Sequence, residues 1–328
     1  MKRGMFAGVI ARRRRRLRLA GCVMLWCGIT FLLPSLFPLR SATTTQPDAN
    51  TIIQRSVVAL QADWKVAPQY NYYERDLENH ETKTYEVLMI LGSPYQRLVA
   101  INGLQLSKED QKAEQHKLDH AIAQRRGEAK EETEKRIAEY RSERHRDHRM
   151  MEELTKAFVF KLSGEAVQDS HQVYVLEATP RPGYRPLDKQ TKVLTGMRGT
   201  LWIDKATFQW VKAQAEVIHP VSIEGFLASV EPGTRFELEK GPVPGGAWLP
   251  KHFSVQSKAK ILSFIGHNNH AEETYFDYQK ADEGTAASVP FSARTPSVAA
   301  VSPGRQRLLA GELYAQKYVL GFPDDLEP

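Results

Sequence analysis

Two stretches, Phe208 to Ile218 and Phe253 to Ile261, divide along the strand period into a mainly apolar and a more polar face, and this restricts the fold more than any other feature of the chain. Successive side chains of a strand point to opposite faces of its sheet. In the first stretch Gln209, Val211, Ala213, Ala215 and Val217 share one face, and Phe208, Trp210, Lys212, Gln214, Glu216 and Ile218 share the other. In the second, Phe253, Val255, Ser257, Ala259 and Ile261 look one way and Ser254, Gln256, Lys258 and Lys260 the other. Such strands belong to an antiparallel sheet with one covered side and one solvated side.

More strands surround these two. Tyr70 to Asp76, Thr84 to Leu91 and Tyr95 to Ile101 are separated by Gly92-Ser93-Pro94, and Asn102-Gly103 is a strong hairpin signal. Phe158 to Glu165 and Val173 to Ala178 flank the turn Gln168-Asp169-Ser170-His171. Gly199 to Ile203, Gly225 to Val230, Arg235 to Glu239 and Glu272 to Tyr278 follow, with His267-Asn268-Asn269-His270 expected as a hairpin loop. Short turns between long strands predict a meander. Ahead of it, Ile52, Ile53, Val57 and Leu60 recur at helical spacing, so a helix is expected from a cap at Asp48 or Asn50 to about Trp64, with Pro68 beyond its end.

Residues 107–153 interrupt the strands. Of these 47 residues, 25 are Asp, Glu, Lys or Arg. Ser107 fits a helix N-cap, and the segment reads as one long helix or two broken near Gly127. Its apolar residues (Leu118, Ile122, Ile137, Tyr140) are sparse, which predicts a solvated insertion. The expected fold class is therefore α+β: a curved antiparallel sheet, a half-barrel, with helices over the concave face and a charged helical insertion.

The ends of the chain have a different character. Residues 1–40 hold nine basic residues and no acid, and the remainder has 36 basic against 39 acidic. The excess of positive charge is thus confined to the N-terminus, and the folded part gives no case for nucleic-acid binding. Arg12 to Arg18 precede 21 residues without formal charge, Leu19 to Leu39. A basic block before a span of that length predicts an exported, periplasmic protein with residues 1–42 as a signal peptide, or as an anchor held in the inner membrane by 19–39. The folded domain is expected over 43–280. Residues 281–328 begin rich in Ala, Ser and Pro and are expected to be a disordered tail with a short terminal helix. Both cysteines, Cys22 and Cys27, lie in the N-terminal span, so the domain has no disulfide, thiolate nucleophile or cysteine metal site.

An export segment, a helix and a long meander together resemble the LolA/LolB-like superfamily of periplasmic outer-membrane lipoprotein-sorting proteins. The stretch that carries the resemblance is Arg198-Gly199-Thr200-Leu201-Trp202-Ile203-Asp204-Lys205-Ala206-Thr207-Phe208-Gln209-Trp210-Val211, a strand, an Asp-x-x-Thr turn and a returning strand. Trp248-Leu249-Pro250, Thr84 to Ser107 and Glu177-Ala178-Thr179-Pro180-Arg181-Pro182-Gly183-Tyr184 are similar to stretches of exported bacterial proteins of this kind. The resemblance spans about residues 48–280. It implies a half-barrel closed by helices around a cavity for acyl chains, and assigns no individual ligand-binding residue. The 107–153 insertion departs from the basic carrier pattern, and an uncleaved anchor would make a tethered receptor, sensor or scaffold of what is otherwise a shuttle.

No phosphate-binding loop, Gly-x-Ser-x-Gly or His-Glu-x-x-His motif occurs. His116 and His120, and His145 and His148, have helical spacing, but two imidazoles alone make an incomplete metal site. The reading is a protein that is not an enzyme and needs no cofactor or metal. Its expected partner is a lipid or acylated protein, with the membrane reached through the N-terminal segment. The apolar face of Val211, Ala213, Ala215, Val217, Phe253, Val255, Ala259 and Ile261 is either core covered by the first helix or the lipid-binding wall. Trp202 shares the face of Val211 if Asp204 to Thr207 is a four-residue turn, and could then line the cavity. Arg181, Tyr184 and Arg185 are candidates for its mouth, since guanidinium groups and an aromatic could meet phosphate or carboxylate there.

Overall fold

The computed structural model describes residues 47–281 except 79, 190, 223–227 and 262–264; the side chains of 78, 147, 260, 261 and 265–268 are also outside the description. The N-terminal segment 1–42, with Cys22 and Cys27, and the tail from 282 onward lie outside the described residues. Among those described, no helix is long and apolar enough to cross a membrane.

Helix α1 (Ala49–Val66) starts where the sequence places its cap: Asp48 Oδ1 accepts the amides of Asn50 and Thr51 at 2.9 and 3.1 Å. A short 3-10 turn (Ala67–Gln69) leads into β1 (Tyr70–Glu78), β2 (Glu81–Ile90), β3 (Ser93–Ile101) and β4 (Leu104–Gln105). Asn102 and Gly103 both have positive φ, as a tight hairpin turn requires. Helices α2 (Lys108–Gly127) and α3 (Lys130–Ala157) follow, then β5 (Phe158–Gln168) and β6 (His171–Pro180), joined by Asp169-Ser170 in the left-handed region. The 3-10 turn Thr191–Gly196 precedes β7 (Met197–Asp204), β8 (Trp210–Val217), β9 (Val221–Ser222), β10 (Ala228–Val230), β11 (Arg235–Pro242), β12 (Trp248–Ile261) and β13 (Ile265–Lys280).

These strands form one antiparallel α+β sheet that is curved and open, in the order β4-β3-β2-β1-β13-β12-β11-β8-β7-β6-β5, with β10 and β9 branching from β12. First and last strands are both edges, so the sheet does not close into a barrel. His267 to His270, expected as a loop, belong to β13: the pairing of Val255 with Ala271 continues through Gln256–His270 to Ile261–Ile265. The two long strands keep one register over the whole of this pairing.

The inner face carries the main core. Along β6, β7 and β8, Leu176, Leu201 and Ala213 lie opposite one another, and Ile52 and Ile53 of α1 are buried against this row. A second cluster joins Phe158, Ala178, Met197 and Val217, with Met150 and Leu154 of α3 packed on it. The charged insertion is therefore not simply solvated. Leu118 and Ile122 of α2 are 2% and 7% exposed and pack on Leu88 and Ile90 of β2, on the outer face. The chain then crosses the β2–β3 turn, where Gly92 (φ 91°) leaves room for Ile137 of α3. Arg125 fastens the crossing, donating to the carbonyls of Ile90, Ser93 and Pro94, each at 2.9 Å.

Candidate functional site

Helix α1 and the second half of α3 cover the inner face without filling it. Between them and the sheet lies a cavity of about 1170 Å³, at the large end of ligand pockets, which run to roughly 1,000 Å³. One part of its lining is apolar, with Met151 and Leu154 of α3 and Phe160, Met197, Leu201 and Phe236 of the sheet. Small residues on the middle strands, Ala178, Gly199, Ala213 and Ala215, keep the wall low there. Another part is aromatic. Tyr72 lies 5.1 Å from Tyr278 and 6.0 Å from Tyr275, ring centroid to centroid. Burial above all, and the charge of Glu74 next, raise the phenols of Tyr72 and Tyr278 well above the ordinary tyrosine range, so both stay neutral.

The roof is locked to α1 by one aromatic. Trp64 stacks on His148 at 4.7 Å and tilts against His145 at 5.1 Å, with the Arg144 guanidinium 4.5 Å from its ring centroid. Arg144 donates to the Trp64 carbonyl, and Trp64 Nε1 donates to the Arg144 carbonyl at 3.3 Å. The histidine pair of α3 thus packs an indole. Burial lowers the pKa of His148, against the opposing pull of Glu152. Among the described residues no group of three or more His, Cys, Asp or Glu is placed to hold a metal ion.

Below this roof, Lys240 of β11 and Asp63 of α1 form a buried ion pair in the cavity wall, 3.3 Å apart. Asp63 also accepts the Trp248 amide at 3.0 Å. Trp210 Nε1 reaches Ser56 Oγ of α1 at 3.4 Å.

The structure distributes the expected wall residues unevenly. Ala213, Ala215 and Phe253 line the cavity. Val217 and Val255 are buried in the clusters of the inner face, and Ala259 is buried opposite Val230, itself a cavity residue. The side chain of Ile261 lies outside the described residues. Val211 is turned to the outer face, where it packs with Val173, Trp248 and Trp202. The reason is a bulge. The hairpin closes with Asp204 N donating to Gln209 O, and the pairing then steps from Ile203–Trp210 to Trp202–Lys212, leaving Val211 as the extra residue. One inserted residue reverses the facing, so Trp210 lines the cavity and Trp202 does not.

Arg181, Tyr184 and Arg185 are not among the lining residues. Arg181 donates to the carbonyls of Lys156 and Phe158 at 2.9 and 2.8 Å, tying the loop to the α3–β5 junction. Tyr184 donates to Glu153 at 2.8 Å; burial first, then that bond, raise its phenol to about 12. Arg185 is exposed. From the same loop, Asp188 and Lys189 reach the cavity instead. The residues that sequence reasoning missed are those of α3, because Met150, Met151 and Leu154 sit at the end of a charged run. Lys240 was missed because a lysine in a strand ordinarily marks a solvated face.

No protein-family model matches the chain, and neither does any curated protein. Among solved structures, the chain is similar to a LolA superfamily protein, NE2245, from Nitrosomonas europaea, at 11% identity over 72% of this chain and 95% of that one, with a TM-score of 0.28. It is also similar to a DUF1329 family protein from Desulfovibrio piger, at 12% identity over 72% of this chain and 94% of that one, with a TM-score of 0.29. Both are likenesses of fold.

Proposed function

We propose that this chain is an extracytoplasmic binding protein that holds the acyl part of a lipid or of a lipidated protein and carries out no reaction on it. The observation that supports the reading is the cavity of about 1170 Å³, walled by methionine, leucine, phenylalanine and alanine between the sheet and two helices. Each methylene moved into such a wall contributes roughly 0.8 kcal/mol, so a chain of about ten offsets much of the entropy lost on binding. On this reading residues 1–42 direct export or tether the domain to the inner membrane, and 43–280 form the binding domain with the 107–153 insertion as its roof and outer buttress. Ala213, Ala215 and Phe253 are the wall residues proposed to meet the ligand.

The test is native mass spectrometry of the full chain, purified from a periplasmic expression host in amphipol, followed by organic extraction. A bound mass that releases a phospholipid or an acylated peptide is the expected result. A clean mass that stays unchanged after lipid addition would overturn the reading and turn attention to a protein partner for the α2–α3 pair.

A further inference from the structure

One cation in the cavity wall is buried and committed to a single carboxylate. Lys240 and Asp63 are 7% and 5% exposed, and the pair ties the last turn of α1 to β11 and, through the Trp248 amide, to β12. Its two halves are satisfied unequally. Asp63 accepts from both Lys240 and Trp248. An ammonium has three N–H donors, and among the described residues Asp63 is the partner of Lys240, at 3.3 Å. Burial first, opposed by Asp63, lowers the lysine pKa. A buried pair of this kind is stable when further hydrogen bonds use its remaining protons. Leu238, two residues before it on β11, and Leu249, opposite Gly241 on β12, line the cavity and carry no side-chain acceptor, and a ligand in the cavity can supply one.

Resting on the acyl-binding reading, we propose that Lys240 is its polar anchor and donates a hydrogen bond to the carbonyl oxygen of an ester- or amide-linked acyl chain. Charge decides between acceptors. Asp63 already neutralises Lys240, and a second carboxylate beside it in a low-dielectric wall would be repelled. An uncharged carbonyl accepts the bond without that repulsion, and a bare hydrocarbon cannot accept it. Lipids and acylated proteins both supply such a carbonyl.

The test uses the full chain in amphipol and displacement of a cavity-bound environment-sensitive dye by methyl palmitate, palmitic acid and hexadecane. The wild-type protein is expected to bind methyl palmitate roughly tenfold more tightly than hexadecane, the scale of a hydrogen bond from a charged donor, and more tightly than the free acid at pH 8. Lys240→Met should lose the preference for the ester. Because that change leaves Asp63 buried without its cation, the double variant Asp63→Asn/Lys240→Met is measured beside it; it removes both charges and keeps an oxygen for the Trp248 amide. There, hexadecane should bind about as before while the ester loses its advantage. Equal binding of ester and hexadecane by the wild type overturns the assignment and leaves acyl binding standing, whatever the variants do. So does an ester preference that survives in the double variant. Failure of every probe to displace the dye overturns both. Displacement of bound ester by phosphatidylglycerol vesicles but not by a palmitoylated peptide, or the reverse, supports the assignment and identifies the source of the carbonyl; displacement by neither overturns it.

Discussion

Helices α2 and α3 are both rich in charged residues, and they end on opposite faces of the same sheet. Helix α2 lies outside, where Leu118 and Ile122 close over Leu88 and Ile90, and Gln115 accepts from Arg97 beside the buried Arg97–Glu86 pair. Helix α3 lies inside and leaves space beneath Tyr140, Met151 and Leu154. The difference teaches that composition gives the solvated side of a helix but not what the other side does. Two aliphatic side chains set four apart, with Gln115 and Arg125 beside them, dock α2. In α3 larger and more flexible residues span a gap, as methionine suits. The outer contact makes stability, and the inner one makes room.

Several changes test that division, the strongest first. Leu118→Ala should lower unfolding free energy by about 3 kcal/mol, as for a buried leucine truncated in a packed contact, with ligand affinity unchanged; urea denaturation and dye binding read the two separately. Arg125→Ala removes three bonds to the β2–β3 turn and should cost about 2 kcal/mol, again without a change in binding. Ala213→Trp works on the other face. It places an indole in the cavity, so ligand affinity should fall roughly tenfold or more, about 1.4 kcal/mol by the usual conversion, while the thermal midpoint stays near that of the wild type. Strong destabilisation with intact binding would mean that the inner face is packed core like the outer one.

The outer face also predicts a pH dependence that the cavity should not share. Burial first, then the charge of Glu237, raise the carboxyl of Glu272 to about 7, and His252 stands 3.8 Å away with its own pKa lowered mainly by burial. The folded state thus holds the Glu272 proton more tightly than the unfolded chain, whose carboxyl titrates near ~4.3. This contribution to stability is fully present below ~4.3 and is lost as pH rises toward 7. Glu272→Gln should match the wild type in acid and become the more stable of the two above pH 7 in denaturation curves, with ligand binding unaltered. The smallest effect is expected at the exposed pair Lys130–Glu134, 3.8 Å apart: Lys130→Ala should change stability by less than ~0.5 kcal/mol.

Much of the framework was legible because it is encoded locally. Asp48 caps α1 through its own neighbours, Asp169-Ser170 and Asn102-Gly103 turn where their positive φ is tolerated, and Asp204 Oδ1 collects the amides of Ala206 and Thr207 at 3.1 and 2.7 Å. Each of these needs only a few consecutive residues. The alternation of Ala213, Ala215 and Val217 was legible for the same reason. Its continuation to Val211 was not, because the bulge there depends on how β8 meets β7. The loop holding Arg181 and Tyr184 was legible as a loop, but not as a brace on α3, since Glu153 lies 31 residues from Tyr184.

The sequence by itself determined an antiparallel sheet with one apolar face, a capped amphipathic helix ahead of it, a charged helical insertion within it and a basic, then apolar, N-terminal segment. Periodicity and turn chemistry are short-range properties, so one chain read in order contains them. Only the tertiary structure decided which helix covers which face, that Trp210 and not Trp202 turns inward, and that Asp63 and Lys240, 177 residues apart, meet in the cavity wall. Those outcomes depend on side chains brought together across the sheet, where packing volume and the cost of burying charge select among arrangements that the local pattern leaves equal.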